Sequence, residues 1–114
     1  MNKAVKITKE ALRQYAVASG DTSAIHLELD AAEQAGFERP IAHGMYIMGL
    51  AHSLYVSQHP TFWIKTSRMT FIRPLLVDTV ACFDYAPVND EIEITVTEKN
   101  GDLVARGYLT VREA

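Results

Sequence analysis

Hydrophobic and polar positions divide the chain into a helical first half and a strand-rich second half. Residues 4–7 read as a short strand. Thr8 then supplies a hydroxyl N-cap. Ala11, not Glu or Gln, stands three residues later, so the capping box is partial. Leu12, Tyr15, Ala16 and Ser19 give the helix one face, and Gly20 ends it. Residues 21–24 read as loop and 25–29 as a brief extended segment, in which His26 faces away from Ile25 and Leu27. Asp30 is placed to cap a short helix over 31–35, stopped by Gly36.

The helix expected over 44–58 is of another kind. Met45, Tyr46, Ile47, Met48, Leu50, Ala51, Leu54, Tyr55 and Val56 leave it no polar stripe. A helix apolar on all sides is expected to be buried, with sheet or a partner around it. None of residues 40–43 is Ser, Thr, Asp or Asn, so its first N–H groups lack a side-chain cap and need other acceptors.

Four strands are expected after Pro60. Residues 62–73 are rich in Thr, Ile, Phe and Trp but alternate poorly, which suggests a bulge or cover on both faces. Residues 79–86 form the second. Residues 91–99 alternate cleanly, with Ile92, Ile94 and Val96 against Glu91, Glu93, Thr95 and Thr97. Asn100-Gly101 predicts a type I′ hairpin turn, and 103–112 return as the fourth strand. Helices followed by strands mark an α+β class, here an antiparallel sheet around one long apolar helix.

Length and composition narrow the function. The 114 residues fit one domain, residues 1–114. A domain of this size buries roughly 65% of its unfolded surface, enough for a real core. A formal net charge of −3 gives no broad basic surface for nucleic acid. The N-terminal residues lack the apolar core of a signal peptide. The longest apolar run is far short of the about 20 residues that span a bilayer, so no membrane association is expected. The single cysteine, Cys82, excludes an intramolecular disulfide and suits a reducing, cytoplasmic location. It lies in an apolar run and reads as a small buried hydrophobe.

Two segments carry candidate chemistry. Ser19-Gly20-Asp21-Thr22-Ser23-Ala24-Ile25-His26 places a carboxylate and an imidazole five residues apart on a glycine-containing loop. Pro40-Ile41-Ala42-His43-Gly44-Met45 delivers a glycine to the start of the apolar helix. An acid–base pair beside bare backbone N–H groups suits proton transfer next to a carbonyl. Gly44 N–H is the candidate donor to a developing oxyanion, because glycine permits close approach and the helix N-terminus carries partial positive charge. His43 reads as a residue that shapes the helix entry, or as a second functional imidazole. No metal site is expected: His43 and His52 fall on opposite sides of a helix, and no His-Glu-x-x-His or clustered Cys/His spacing occurs. No cofactor is expected either.

These segments, Ser19 to Glu28 and Gly36 to Met45, resemble the signature of the MaoC-like, (R)-specific enoyl-CoA hydratase family. Phe71-Ile72-Arg73-Pro74-Leu75 resembles that family's later Phe-x-x-Pro strand. The chain departs from the pattern where Ser23-Ala24 replaces Asn-Pro, and where Leu76-Val77-Asp78 replaces a Pro-Gly-Asp turn. The resemblance implies a hotdog fold, an antiparallel sheet wrapped around a long helix. It also implies a homodimer or higher even oligomer with sites near the subunit interface. The activity implied is a hydro-lyase that adds water to, or removes it from, 2-enoyl or 3-hydroxyacyl thioesters of coenzyme A or acyl carrier protein. Asp21 and His26 would hold the water and Gly44 the thioester oxygen. Substrate contacts are expected from Ser19, Ile25, His43, Met45 and Met48. Arg68, Arg73 and Lys65 are candidates for the carrier's phosphate. Tyr46, Met48, Leu50 and Leu54 line an acyl tunnel or simply fill the core. Two other functions fit the same residues: a non-catalytic acyl-thioester-binding or assembly subunit, which the Ser23-Ala24 departure motivates, and a hotdog thioesterase.

Overall fold

A computed structural model describes residues 2–114. The chain runs β1 (Asn2–Lys6), α1 (Lys9–Ser19), α2 (Ala24–Leu27), α3 (Leu29–Gln34), α4 (Gly44–Gln58), β2 (Phe62–Phe71), β3 (Val80–Val88), β4 (Glu91–Glu98) and β5 (Leu103–Glu113). The strands form one antiparallel sheet in the order β1-β3-β4-β5-β2. The expected α+β segregation is therefore present, with β1 as the one strand ahead of the helices.

Period-2 alternation sets the inner face of the sheet. Phe83 on β3 pairs with Val96 on β4, which pairs with Ala105 on β5, which pairs with Phe71 on β2. The first three of these residues are fully buried. The next row runs Tyr85, Ile94, Gly107 and Met69. α4 lies against this face, and the Tyr85 hydroxyl donates to the Ala51 carbonyl at 2.6 Å. Burial pushes the Tyr85 phenol well above its usual range. A register shift between Ile64 and Thr66 supplies the irregularity that the poor alternation of β2 suggested, but β2 is an edge strand and is not covered on both faces.

Thr8 caps α1 as expected, its Oγ1 accepting from Ala11 N–H at 3.0 Å. Gly20 closes the helix with φ +78° and donates its N–H to the Ala16 carbonyl at 3.0 Å. A Cβ there would touch nothing within 4 Å, so only backbone strain opposes a larger residue. Gly20→Ala is expected to cost about 1–2 kcal/mol, read as a fall in the urea midpoint at unchanged m-value.

Three local expectations are corrected. Residues 25–29 are not extended: α2 and α3 are consecutive short helices with Glu28 between them, because the Glu28 N–H closes α2 on the Ala24 carbonyl while its own carbonyl accepts from Ala32. Glu28, not Asp30, therefore occupies the N-cap of α3. The Asn100-Gly101 hairpin is not type I′. Only Gly101 has positive φ (+98°), the Gly101 N–H donates to the Glu98 carbonyl, and Thr97 pairs with Leu103. That is a three-residue loop with glycine in the left-handed position.

The sheet does not enclose α4. Ile47, Ala51 and Tyr55, four residues apart, form its buried stripe. Met45 is 63% exposed and Val56 39% exposed on other sides. No helix among the described residues is long and apolar enough to cross a membrane.

Candidate active site

Main-chain hydrogen bonds bring the two sequence segments together. The Ile41 N–H donates to the Ile25 carbonyl at 3.1 Å. In return the His26 Nδ1–H donates to the Ile41 carbonyl at 2.7 Å. A third segment completes the frame: Ala42 N–H donates to Leu75 O, and Val77 N–H donates to Pro40 O, each at 2.8 Å. At the end of that segment Asp78 takes φ +67°, a conformation that Asp tolerates better than most residues. It does so where the family pattern has Gly-Asp.

The Ile41 bond fixes the tautomer of His26. With Nδ1 donating, Nε2 is the nitrogen that bears the lone pair in the neutral ring, and it faces Asp21 Oδ2 at 3.7 Å. That separation is too long for a direct hydrogen bond, and a single water seated to one side of the pair can reach both atoms. The His26 side chain is 11% exposed and that of Asp21 49% exposed. Hydrogen bonds from Ser23, first its side chain and then its backbone N–H, hold the Asp21 carboxyl below the usual carboxylate range, with smaller help from His26 and His43. Ser23 thus braces the loop where the family pattern has Asn-Pro. Ser23→Ala is expected to raise the Asp21 pKa toward its ordinary value. If the ionised form is the working one, the acid limb of the pH–rate profile then moves to higher pH.

His43 is 3% exposed. Its Nε2–H donates to the Asp21 carbonyl at 2.9 Å, while Nδ1 finds no partner among the described residues. Its ring stacks on His26, with centroids 3.7 Å apart and planes at 20°. Tyr15 also meets the His43 ring in an edge contact, with centroids 4.9 Å apart. Of the two readings of His43, the local structural one has these contacts behind it: it ties the Asp21 loop to the entry of α4. Asp21, His26 and His43 offer ligand atoms within 4.8 Å of one another. Nearly parallel stacked rings, however, aim their in-plane lone pairs along parallel planes that do not converge on one ion.

α4 begins at Gly44 with no side-chain cap, as expected. The Gly44 N–H donates to no protein group among the described residues. It borders a cavity of about 520 Å³ that also holds Tyr15, Ser19, Asp21, His26, His43 and Met45. The structure therefore gathers Ser19, Asp21, His26, His43, Gly44 and Met45 around one space. It does not bring the other candidates there. Ile25 contributes its carbonyl to the frame, and its side chain borders neither this cavity nor the next. Met48 is half-buried on α4 and lines neither of them. Arg73 borders the apolar cavity alongside and lies 3.7 Å from Asp102. Arg68 lies on the opposite face of the sheet, bound to Glu91 through both terminal nitrogens at 2.7 and 3.2 Å and stacked over Tyr108. Tyr15 and Phe71 are the neighbours that sequence reading left out of the site. Tyr15 was legible only as part of a helix face one turn before Ser19.

The profile of the MaoC like domain matches residues 1–105. The chain belongs to the MaoC-like dehydratase family. Solved structures of that family's hotdog fold superpose closely. The (R)-hydratase of A. caviae involved in PHA biosynthesis gives a TM-score of 0.85 at 22% identity, over 100% of this chain and 93% of that one. The ChsH1–ChsH2 complex of Mycobacterium tuberculosis gives 0.88 at 15% identity, over 100% and 94%. The HadBC (3R)-hydroxyacyl-ACP dehydratase complex of the same organism gives 0.78 at 20%, over 96% and 90%. No curated protein matches the sequence significantly.

Proposed function

We propose that this MaoC-like protein is a hydro-lyase acting on 2-enoyl and 3-hydroxyacyl thioesters, with Asp21 and His26 as its acid–base pair. The carrying observation is the 3.7 Å separation of Asp21 Oδ2 and His26 Nε2, beside an N–H at the start of α4 that no group among the described residues accepts. A water seated against both atoms gives up one proton to the pair as its oxygen bonds to C3 of the substrate. The C2=C3 electrons move onto the thioester oxygen, facing the Gly44 N–H. A well-aimed donor of this kind contributes about 3 kcal/mol, supported by the helix dipole. The proton held by the pair then passes to C2, and the carbonyl re-forms. Water is consumed, and each proton is accounted for. Ser19, His43 and Met45 shape the polar side of the site.

The experiment is the loss of crotonyl-CoA absorbance on adding protein, with the corresponding acyl carrier protein thioester as a second arm. Loss of absorbance without free thiol supports the hydro-lyase. Thiol release, followed with a disulfide reagent, identifies a thioesterase instead. Binding of acyl-CoA without turnover of any enoyl chain identifies a non-catalytic subunit.

The same reading includes a homodimer. One flank of α4 is uncovered, and the adjacent edge strand β2 ends near exposed Phe71 and Ile72 and begins near exposed Trp63. A second copy is the partner that would bury the exposed apolar side chains of α4, Met45 and Val56. Light scattering behind a sizing column should give twice the chain mass.

A further inference from the structure

Two cavities meet at a side chain that the acid–base chemistry does not use. The first is the polar cavity of Asp21 and His26. The second, about 340 Å³, is walled by Ile41, Ala42, Ile47, Pro74 and Leu75. His26, Gly44 and Phe71 border both. Two of these three are fixed: His26 by its bond to Ile41 and its stack on His43, and Gly44 as helix backbone.

Phe71 is held differently. It is the last residue of β2, paired with Ala105, and the next N–H, of Ile72, donates to Val104 O at 2.8 Å. Its backbone is therefore pinned. The residue is 42% exposed, and its ring reaches the start of α4. Two ring atoms stand 3.2 and 3.3 Å from the point where a Cβ on residue 44 would lie. That is tighter than ordinary contact, so the hydrogen of Gly44 is what admits the ring. Rotation about the side-chain torsions is the motion left to Phe71, and it changes the opening between the two cavities without disturbing the sheet.

We infer that Phe71 is a specificity-determining residue: its ring sets how long or bulky an acyl chain passes from the acid–base pair into the apolar cavity. The inference rests on the acyl-thioester reading. With C3 beside Asp21 and His26 and the thioester oxygen at Gly44, the chain beyond C3 has this mainly apolar cavity as its neighbouring space, and Phe71 stands between the two. One methylene gained or lost in an apolar pocket changes kcat/KM by about 10–200-fold, so a ring at the entrance has large leverage.

The test compares wild type with Phe71→Ala, Phe71→Leu and Phe71→Trp on 2-enoyl-CoA substrates of four, six, eight and ten carbons. The ratio of kcat/KM for eight carbons to that for four should rise at least about tenfold in Phe71→Ala, rise less in Phe71→Leu, and fall in Phe71→Trp. An unchanged ratio in folded variants overturns the inference. Calorimetry with saturated acyl-CoAs of the same lengths separates this result from the hydro-lyase reading. If wild type turns over no enoyl-CoA but the Kd ratio shifts in the same order, the role of Phe71 stands and the reaction does not. If the Kd ratio is flat across the variants, or no acyl-CoA binds, the inference fails. Should Phe71→Ala not fold, the opposed directions of Leu and Trp decide the matter.

Discussion

Replacing Asp21 by Asn, or His26 by Ala, should lower enoyl-thioester turnover by about 10²–10⁴-fold, the range for loss of a positioned acid or base. The two changes differ in what else they disturb. Asp21 has a half-exposed side chain, and its anchoring contact with His43 runs through the backbone carbonyl. Asn at this position keeps the shape of the loop and removes only the negative charge, so thermal stability should barely change. His26→Ala also removes the bond to Ile41 and the ring stack on His43, so a stability loss on the order of 1 kcal/mol should accompany the loss of rate. His26→Asn places its amide nitrogen one bond beyond Cγ, as Nδ1 is, and should recover the bond to Ile41 and part of the stability without recovering rate. In the proposed mechanism the two groups act on one water, so the double variant should be scarcely slower than either single one. Wild-type rates in both folded single variants would remove the acid–base pair from the mechanism.

Phe83→Ala should have the largest effect on stability. Phe83 is fully buried and is the largest of the fully buried side chains. It sits mid-strand on β3 between Lys3 of β1 and Val96 of β4. Truncating a buried Phe costs about 3–5 kcal/mol through lost burial and the cavity left behind. Domains as a class have only about 5–15 kcal/mol in hand, so the variant should melt far below wild type and populate unfolded chain at moderate temperature. Chemical denaturation of both proteins measures the difference. A cost under about 1 kcal/mol would mean that the inner face collapses around the gap, contrary to a tightly packed sheet core. The two predictions dissociate cleanly: the site variants lose rate with the fold retained, and Phe83→Ala loses the fold without touching the site.

Much of this architecture was legible in the residues, for identifiable reasons. Alternation of Ile92, Ile94 and Val96 gave β4 and its buried face because period-2 patterning reports directly on a half-buried strand. Thr8 and Gly20 bounded α1 because caps are local chemistry. Residues 25–29 were misread because the runs are one turn long, and at that length periodicity does not separate helix from strand. The hairpin at Asn100 was misread because its turn is decided by the bulge in β4–β5 pairing, not by the dipeptide. The all-round apolar surface of α4 was visible, but a single chain covers only the Ile47–Ala51–Tyr55 stripe. At the site, residue type and spacing singled out Asp21, His26 and Gly44, which the fold gathers around one cavity. Arg68 was misplaced because strand parity alone did not say which face of β2 looked toward the cavity. Tyr15 and Phe71 join only through contacts between distant segments, which no local pattern encodes.

The reciprocal stitching of Ile25 to Ile41 has a consequence for how such proteins diverge. Besides the ring stack on His43, the groups that tie the His26 imidazole to its place are an amide and a carbonyl that every residue type except proline would supply in full. Substitution at position 25 or 41 therefore alters bulk and polarity nearby while the ring keeps its aim. A lineage can redraw the surroundings of this imidazole extensively, and low sequence likeness in these loops is weak grounds for judging a relative inert.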